Sequence, residues 1–240
     1  MLLADLHVHS CASTDARSSL DELIAAAKAA GLDAITISDH DTCTPAPAVE
    51  GLLLIPGVEL NTTSGHILGL FLERPVDIAA LRAGGRPSVK AAVTAIHACG
   101  GVAVLAHPFA PQKLPENELA RLPVDLVEGY NARAALKKNP ANEQAHALAA
   151  QMGKAMTAGS DAHSAPELGT AYTRIDCEVC TVDALRAAVL AGKTEPVLVR
   201  ACRWRYKGLA RLQSDRRHGR FRIKTYLYLI YTVLRGLVQR

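Results

Sequence analysis

Apolar and polar residues alternate from Leu2 to Val8, the period of a half-buried strand, and the run ends where His7 and His9 stand. Ser19, Leu20, Asp21 and Glu22 form a capping-box pattern that opens a helix through Ala30, with Gly31 supplying the stop. Leu32 to Ser38 reads as a buried strand running into Asp39, His40, Asp41 and Thr42. The rhythm then repeats. Strands are predicted at Leu53–Leu60, Ile67–Leu72, Val102–Ala106, Val124–Tyr130, Ala155–Ala158 and Ala171–Asp176. Helices are predicted at Ser88–Cys99, near Glu116–Leu122, at Ala141–Met152 and at Val182–Ala191. Strands alternating with helices imply parallel βα units, and about seven of them are too many for a small open sheet. The expected architecture is therefore a closed or nearly closed α/β barrel.

Composition narrows the class. At 240 residues and 49% hydrophobic, the chain can bury one substantial core. No apolar run approaches the roughly 18 residues of a membrane span, and the start MLLADLHVHS lacks a basic n-region with a following apolar segment, so a cytoplasmic protein is expected. The six cysteines have no regular spacing and are read as reduced thiols. Charge is unevenly spread: residues 200–240 hold 12 Lys/Arg against the single acid Asp215, whereas the upstream body holds 15 Lys/Arg against 22 Asp/Glu. This divides the chain into a catalytic body, 1–199, and a basic extension, 200–240.

An acidic body suits phosphate chemistry only if bound cations reverse its local field. His7 and His9 lie two apart at a strand end and can share one cation. Asp39, His40 and Asp41 add carboxylates and an imidazole at a second strand exit, a donor set that suits Mn, Fe or Zn. Asp41 is expected to act behind the ligands, orienting an imidazole through its other ring nitrogen. Glu59, His107 and the pair Asp161 and His163 also follow apolar runs, and barrel chemistry collects at such strand ends. His66 precedes its run, so either that strand runs the other way or the site reaches into a loop. His97, His146 and His218 fall inside helices or the tail and are read as structural or solvated.

Six segments, DLHVHS at 5–10, SDHDT at 38–42, PGVE at 56–59, GHILG at 65–69, AHP at 106–108 and GSDAH at 159–163, together resemble the polymerase and histidinol phosphatase (PHP) superfamily in order and approximate spacing. The resemblance spans about residues 3–175. It implies a distorted, TIM-like (β/α)7 barrel carrying two to three divalent metal ions at the strand C-termini, here with a basic C-terminal helical extension. By the same resemblance His7, His9, Glu59 and Asp161 would surround the first metal, Asp15, His40 and His163 the second, and a bridging Glu59 with His66 and His107 the third. Many members carry histidine where Asp15 stands, and the carboxylate shifts that site toward harder ions.

Such a ligand set predicts phosphate-ester hydrolysis by a metal-bridging hydroxide, since clustered cations bring the pKa of bound water near neutrality and neutralise charge on the phosphoryl oxygens. Expected substrates are a small phosphomonoester, a nucleoside bisphosphate or an oligonucleotide end. Arg133, just past a strand end, is the expected fixed positive group, with Asn131 and Arg17 as further substrate contacts. The alternative class is a non-catalytic module that keeps the barrel for binding. For the basic extension three readings stand: a helix packed on the barrel, a peripheral membrane anchor, or a nucleic-acid-binding arm.

Overall fold

Among residues 1–110, 114–136 and 140–238, which the computed structural model describes, nine strands and eight α-helices follow one another. They run β1 (Leu2–Val8), α1 (Leu20–Ala29), β2 (Ala34–Ile37), β3 (Leu53–Thr62), β4 (Gly65–Leu70), α2 (Ile78–Leu81), α3 (Val89–Ala98), β5 (Val102–Leu105), α4 (Glu116–Leu119), β6 (Leu126–Asn131), α5 (Ala141–Met152), β7 (Met156–Gly159), β8 (Ala171–Ile175), α6 (Val182–Leu190), β9 (Thr194–Leu198), α7 (Trp204–Arg217) and α8 (Ile223–Val238). The capping box at α1 forms as its sequence dictates: the Ser19 side chain accepts from the Glu22 amide, and the Glu22 carboxylate accepts from the Ser19 amide.

The strands form one sheet in the order β7-β6-β5-β4-β3-β2-β1-β8-β9. It curls until the exits of β1 and β7 meet, where the His9 amide donates to the Ala162 carbonyl at 2.8 Å and the Asp161 amide to the His7 carbonyl at 2.9 Å. These bonds nearly close a barrel at one rim, and the rim they close carries the histidines. Lower down, β1 pairs antiparallel with β8, which continues into the edge strand β9.

The α/β barrel class stands, but the expectation of uniformly parallel βα units does not. β1, β2 and β3 are parallel, as are β5, β6 and β7, whereas β4 runs antiparallel to both its neighbours. Only Thr63 and Ser64 separate β3 from β4, and a two-residue link can join antiparallel strands alone. The reversal answers the question posed by His66. It stands at the start of its strand because that strand enters the sheet from the mouth.

Leucines, isoleucines and valines fill the space beneath the mouth. Leu6, Ile55, Leu68, Leu70 and Val104 pack together and are capped by Leu185 and Val189 of α6. Outside the sheet, Leu23 and Ala27 of α1 cover Ile35 and Ile37, while Val93 and Ile96 of α3 cover Val58, Ile67 and Leu105. Each helix thus hides one apolar stripe and leaves the mouth free for polar residues.

The basic extension forms a helical hairpin, with Gln239 and Arg240 outside the described residues. Gly208 lets its helices approach closely, since a Cβ there would sit 2.1 Å from Thr232 Oγ1. Trp204 packs with Ala132, Leu136 and Cys202 beside the mouth, and Arg217 donates to the Cys11 carbonyl at 3.1 Å.

Candidate metal centre

Six strand ends and one loop bring all nine expected ligands to the mouth. Glu59, 1% exposed, stands at the middle of the cluster. Its Oε2 lies 3.4 Å from His7 Nε2, 3.2 Å from His9 Nε2 and 3.1 Å from His40 Nδ1. Its Oε1 lies 2.8 Å from His66 Nδ1 and 3.2 Å from His107 Nε2. Asp161 Oδ1 approaches His7 and His9 at 3.8 and 3.5 Å. Asp15 Oδ2 approaches His163 and His40 at 3.1 and 3.8 Å.

Hydrogen bonding alone does not satisfy this arrangement. A carboxylate offers about four acceptor positions, whereas five imidazoles crowd Glu59. His7 Nε2 and His9 Nε2 face one another at 3.1 Å, and the buried His40 Nδ1 and Asp15 Oδ1 have no hydrogen-bond partner. Ligands about 2.1 Å from a shared cation come to lie roughly 3 Å apart, the spacing seen between these atoms. Four triads have ligand atoms within 4.8 Å of one another: His9 with His40 and His163, His7 with Glu59 and His107, His7 with His9 and Asp161, and His40 with Glu59 and His66. The donor set fits divalent cations better than it fits protons.

Electrostatics point the same way. Burial disfavours the Glu59 and Asp161 carboxylates, yet the surrounding imidazoles hold both well below the usual carboxylate range. Burial opposes charge on His9 too, but Asp161 and Glu59 outweigh it and push the imidazole up to about 9. His40 goes the other way, to about 4, because burial and the charge on His9 exceed the pull of Glu59. The acids demand positive charge that the imidazoles cannot all supply as protons.

A supporting layer holds the ligands in place. Glu128 Oε1 accepts from His7 Nδ1 at 2.9 Å, while its Oε2 accepts from the His107 amide at 2.8 Å and from Asn131 Nδ2 at 3.1 Å. Asp39 accepts from the Ser10 amide at 2.7 Å and from Ser13 Oγ at 2.8 Å, and that hydroxyl lies 3.2 Å from His9 Nδ1. Asp5 accepts from the Ser160 amide at 2.9 Å, tying β1 to the loop that carries Asp161. Burial outweighs these bonds and pushes the Asp5 carboxyl up to about 7. Reading the chain as a string missed Glu128 and Glu167. The signal for Glu128 was a carboxylate directly after the apolar pair Leu126 and Val127 within a strand.

The remaining predicted residues fall in different places. Arg133 lines the mouth, with Nε donating to the Asp161 carbonyl at 2.8 Å and Nη2 3.6 Å from Glu167. Asn131 also lines it, but its side chain makes four hydrogen bonds, to Glu128, Asp161, and the amides of Arg133 and Ala134, and so supports the loop. The Asp41 carboxylate accepts from the Asn61 amide at 3.0 Å and pairs with Arg82, engagements that turn it toward β3 and α2. Arg17 is exposed, and its amide donates to the His163 carbonyl at 2.9 Å. Its side chain is not among the residues lining the mouth cavity. His97 pairs with Asp125 at 2.7 Å and His146 stacks against Tyr130, both away from the cluster.

Backbone conformation at the mouth is unusual as well. His107 and Asp161 have φ of +27° and +53°. Such conformations persist where the surroundings over-determine them, and here the Glu128 carboxylate holds the His107 amide.

The PHP domain model matches residues 5–99, and a PHP-associated model matches residues 139–194. Over these residues the chain belongs to the PHP family. The two matched regions contain eight of the nine expected ligands, with His107 between them. Among solved structures it resembles PsfC of Pseudomonas syringae PB-5123, with a TM-score of 0.65 at 19% identity over 91% of this chain and 98% of that one. It also resembles a Bacteroides vulgatus two-domain protein containing a predicted PHP-like metal-dependent phosphoesterase, with a TM-score of 0.60 at 19% identity over 82% of this chain and 64% of that one. In sequence, the uncharacterized protein MJ1587 of Methanocaldococcus jannaschii is 28% identical over 146 residues, covering 54% of this chain and 81% of that protein. No helix among the described residues is long and apolar enough to cross a membrane.

Proposed function

We propose that this PHP protein hydrolyses phosphate esters, holding two to three divalent metal ions, Mn, Fe or Zn, on His7, His9, Asp15, His40, Glu59, His66, His107, Asp161 and His163. The observation that carries the reading is the crowding of five imidazoles around one buried carboxylate, beside a fixed guanidinium in the same cavity. Cations held there supply Lewis acidity and an activated water at neutral pH.

The chain's own residues set the rest of the chemistry. Arg133, buried and pinned by Asp161 and Glu167, presents a guanidinium whose planar fork suits phosphoryl oxygens. Glu128 keeps the His7 Nδ1 proton in place, which leaves Nε2 free to serve as a ligand. The cavity, about 390 Å³, accommodates a small phosphomonoester or the end of a nucleotide. A non-catalytic module has no need for a full ligand set with its supporting carboxylates.

A panel of phosphomonoesters, nucleotides and short oligonucleotides tests the reading. Manganese-loaded protein should release phosphate from at least one class, a chelator should abolish release, and restored metal should return it. Absence of turnover across the panel with metal bound would leave the binding-module reading.

One further observation favours peripheral membrane contact as a second reading. Leu227, Ile230, Leu234 and Leu237 of α8 are 60, 56, 58 and 71% exposed, at helical spacing and beside Arg216, Arg217, Arg220, Arg222 and Lys224. Salt-sensitive co-sedimentation with anionic vesicles would support it. Absence of sedimentation at low salt would dismiss it.

A further inference from the structure

The space above the metal centre does not end at the barrel rim. A second cavity, about 420 Å³, adjoins the first and shares Asp15, Arg133, His163 and Lys207 with it. The other side of its lining comes from the basic hairpin: Arg211 on α7, Arg220 and Arg222 at the turn, and Tyr228 on α8. Two acids line this space and both are engaged: Asp15 faces His163 at 3.1 Å, and the buried Asp215 accepts from Thr225 Oγ1. Three arginines of the hairpin, Arg211, Arg220 and Arg222, therefore line this space beside Lys207 and the Arg133 that Asp161 and Glu167 hold, facing two acids already engaged.

We propose that this annex binds a second phosphate group, carried by the same molecule as the ester cleaved at the metals. The inference rests on the phosphoesterase reading and narrows its range of substrates to esters that carry a second phosphate, held by the hairpin. Guanidinium forks match phosphate oxygens in pairs, and the annex offers several at one wall. Arg211 lies over the Tyr228 ring at 5.6 Å, a contact that limits its wandering without consuming its donors. Arg133 lines both cavities and so stands between the two phosphate positions.

The hairpin is placed to do this. Gly208 seats α7 against Thr232 of α8, Asp215 and Thr225 tie the turn, and Arg217 anchors the hairpin to the loop after β1. The regions matched by the family models end at residue 194, so this wall belongs to the part of the chain that lies beyond them. Part of the excess of Lys and Arg in residues 200–240 acquires a local purpose: Lys207, Arg211, Arg220 and Arg222 line the mouth of an otherwise acidic body.

Alkanediol monophosphates and bisphosphates of increasing chain length, offered to the manganese-loaded full chain, test the proposal. At the length that spans the two cavities, kcat/KM should favour the bisphosphate by about tenfold or more, equivalent to one step of about 1.4 kcal/mol. In the double variant Arg211→Gln, Arg222→Gln, whose replaced side chains are exposed, that preference should collapse toward unity. A wild-type ratio near one at every length, or a preference that survives in the variant, overturns the annex. Equilibrium dialysis with inorganic phosphate separates this failure from that of the hydrolysis reading. Two phosphates bound per wild-type chain and one per variant chain, with no ester cleaved, would keep the annex and remove the hydrolase. One phosphate bound by both proteins would remove the annex whatever the turnover.

Discussion

Glu59 accepts more imidazole neighbours than a carboxylate can satisfy, and two of those rings are held from behind, His7 by Glu128 and His9 by the Ser13 hydroxyl. Glu128 shows how much depends on that second contact, since it grips His7 through Nδ1 and His107 through its amide. Glu128→Ala should weaken metal affinity by about 10–100-fold, read by metal titration, while leaving the ligands themselves in place. Unchanged affinity would mean that the rings orient without it. The clustering residues were legible in the sequence because they come in short local signatures at strand ends, such as His7 with His9 and Asp161 with His163. Glu128 was not, because its partner His7 is 121 residues away and only the closed sheet joins them. Asp41 shows the converse error: its position beside His40 suggested service to an imidazole, but the hairpin brings Asn61 closer, and Arg82 of the α2 end completes its pairing.

Strand ends, not helices, carry the site, and their periodicity was the clearest signal in the chain. Strand existence was readable from alternation and apolar runs. Direction was not, because β4 looks like any other buried strand until the two-residue link before it is weighed. β9 escaped notice for a different reason: it contains Pro196, is only half-buried, and sits at the sheet edge where few apolar residues are required. The closure of β7 on β1 depends on a residue with no side chain. A Cβ at Gly159 would lie 2.3 Å from His7 Cβ, so Gly159→Ala should push the β1 exit aside. The expected cost is about 1–3 kcal/mol, seen as a lower urea midpoint, together with loss of bound metal. A variant that is destabilised but keeps full metal content would show that the rim tolerates the shift.

At the scale of the whole molecule, two regions of opposite charge meet at one opening. The body contributes buried acids and imidazoles, and the hairpin contributes arginines around the same mouth. Composition revealed the asymmetry, but where the extension docks depends on tertiary contacts of Trp204 and Arg217 that no local pattern announces. The account as a whole rests on nine ligands serving cations and not each other. Elemental analysis of purified wild-type protein beside His9→Ala measures this most directly. His9 lies against both Glu59 and Asp161 and within the His40–His163 group, so its loss should remove at least one metal equivalent per chain and with it the hydrolysis of any phosphate ester the wild type cleaves. Equal metal content in the two proteins, with equal turnover, would contradict the account.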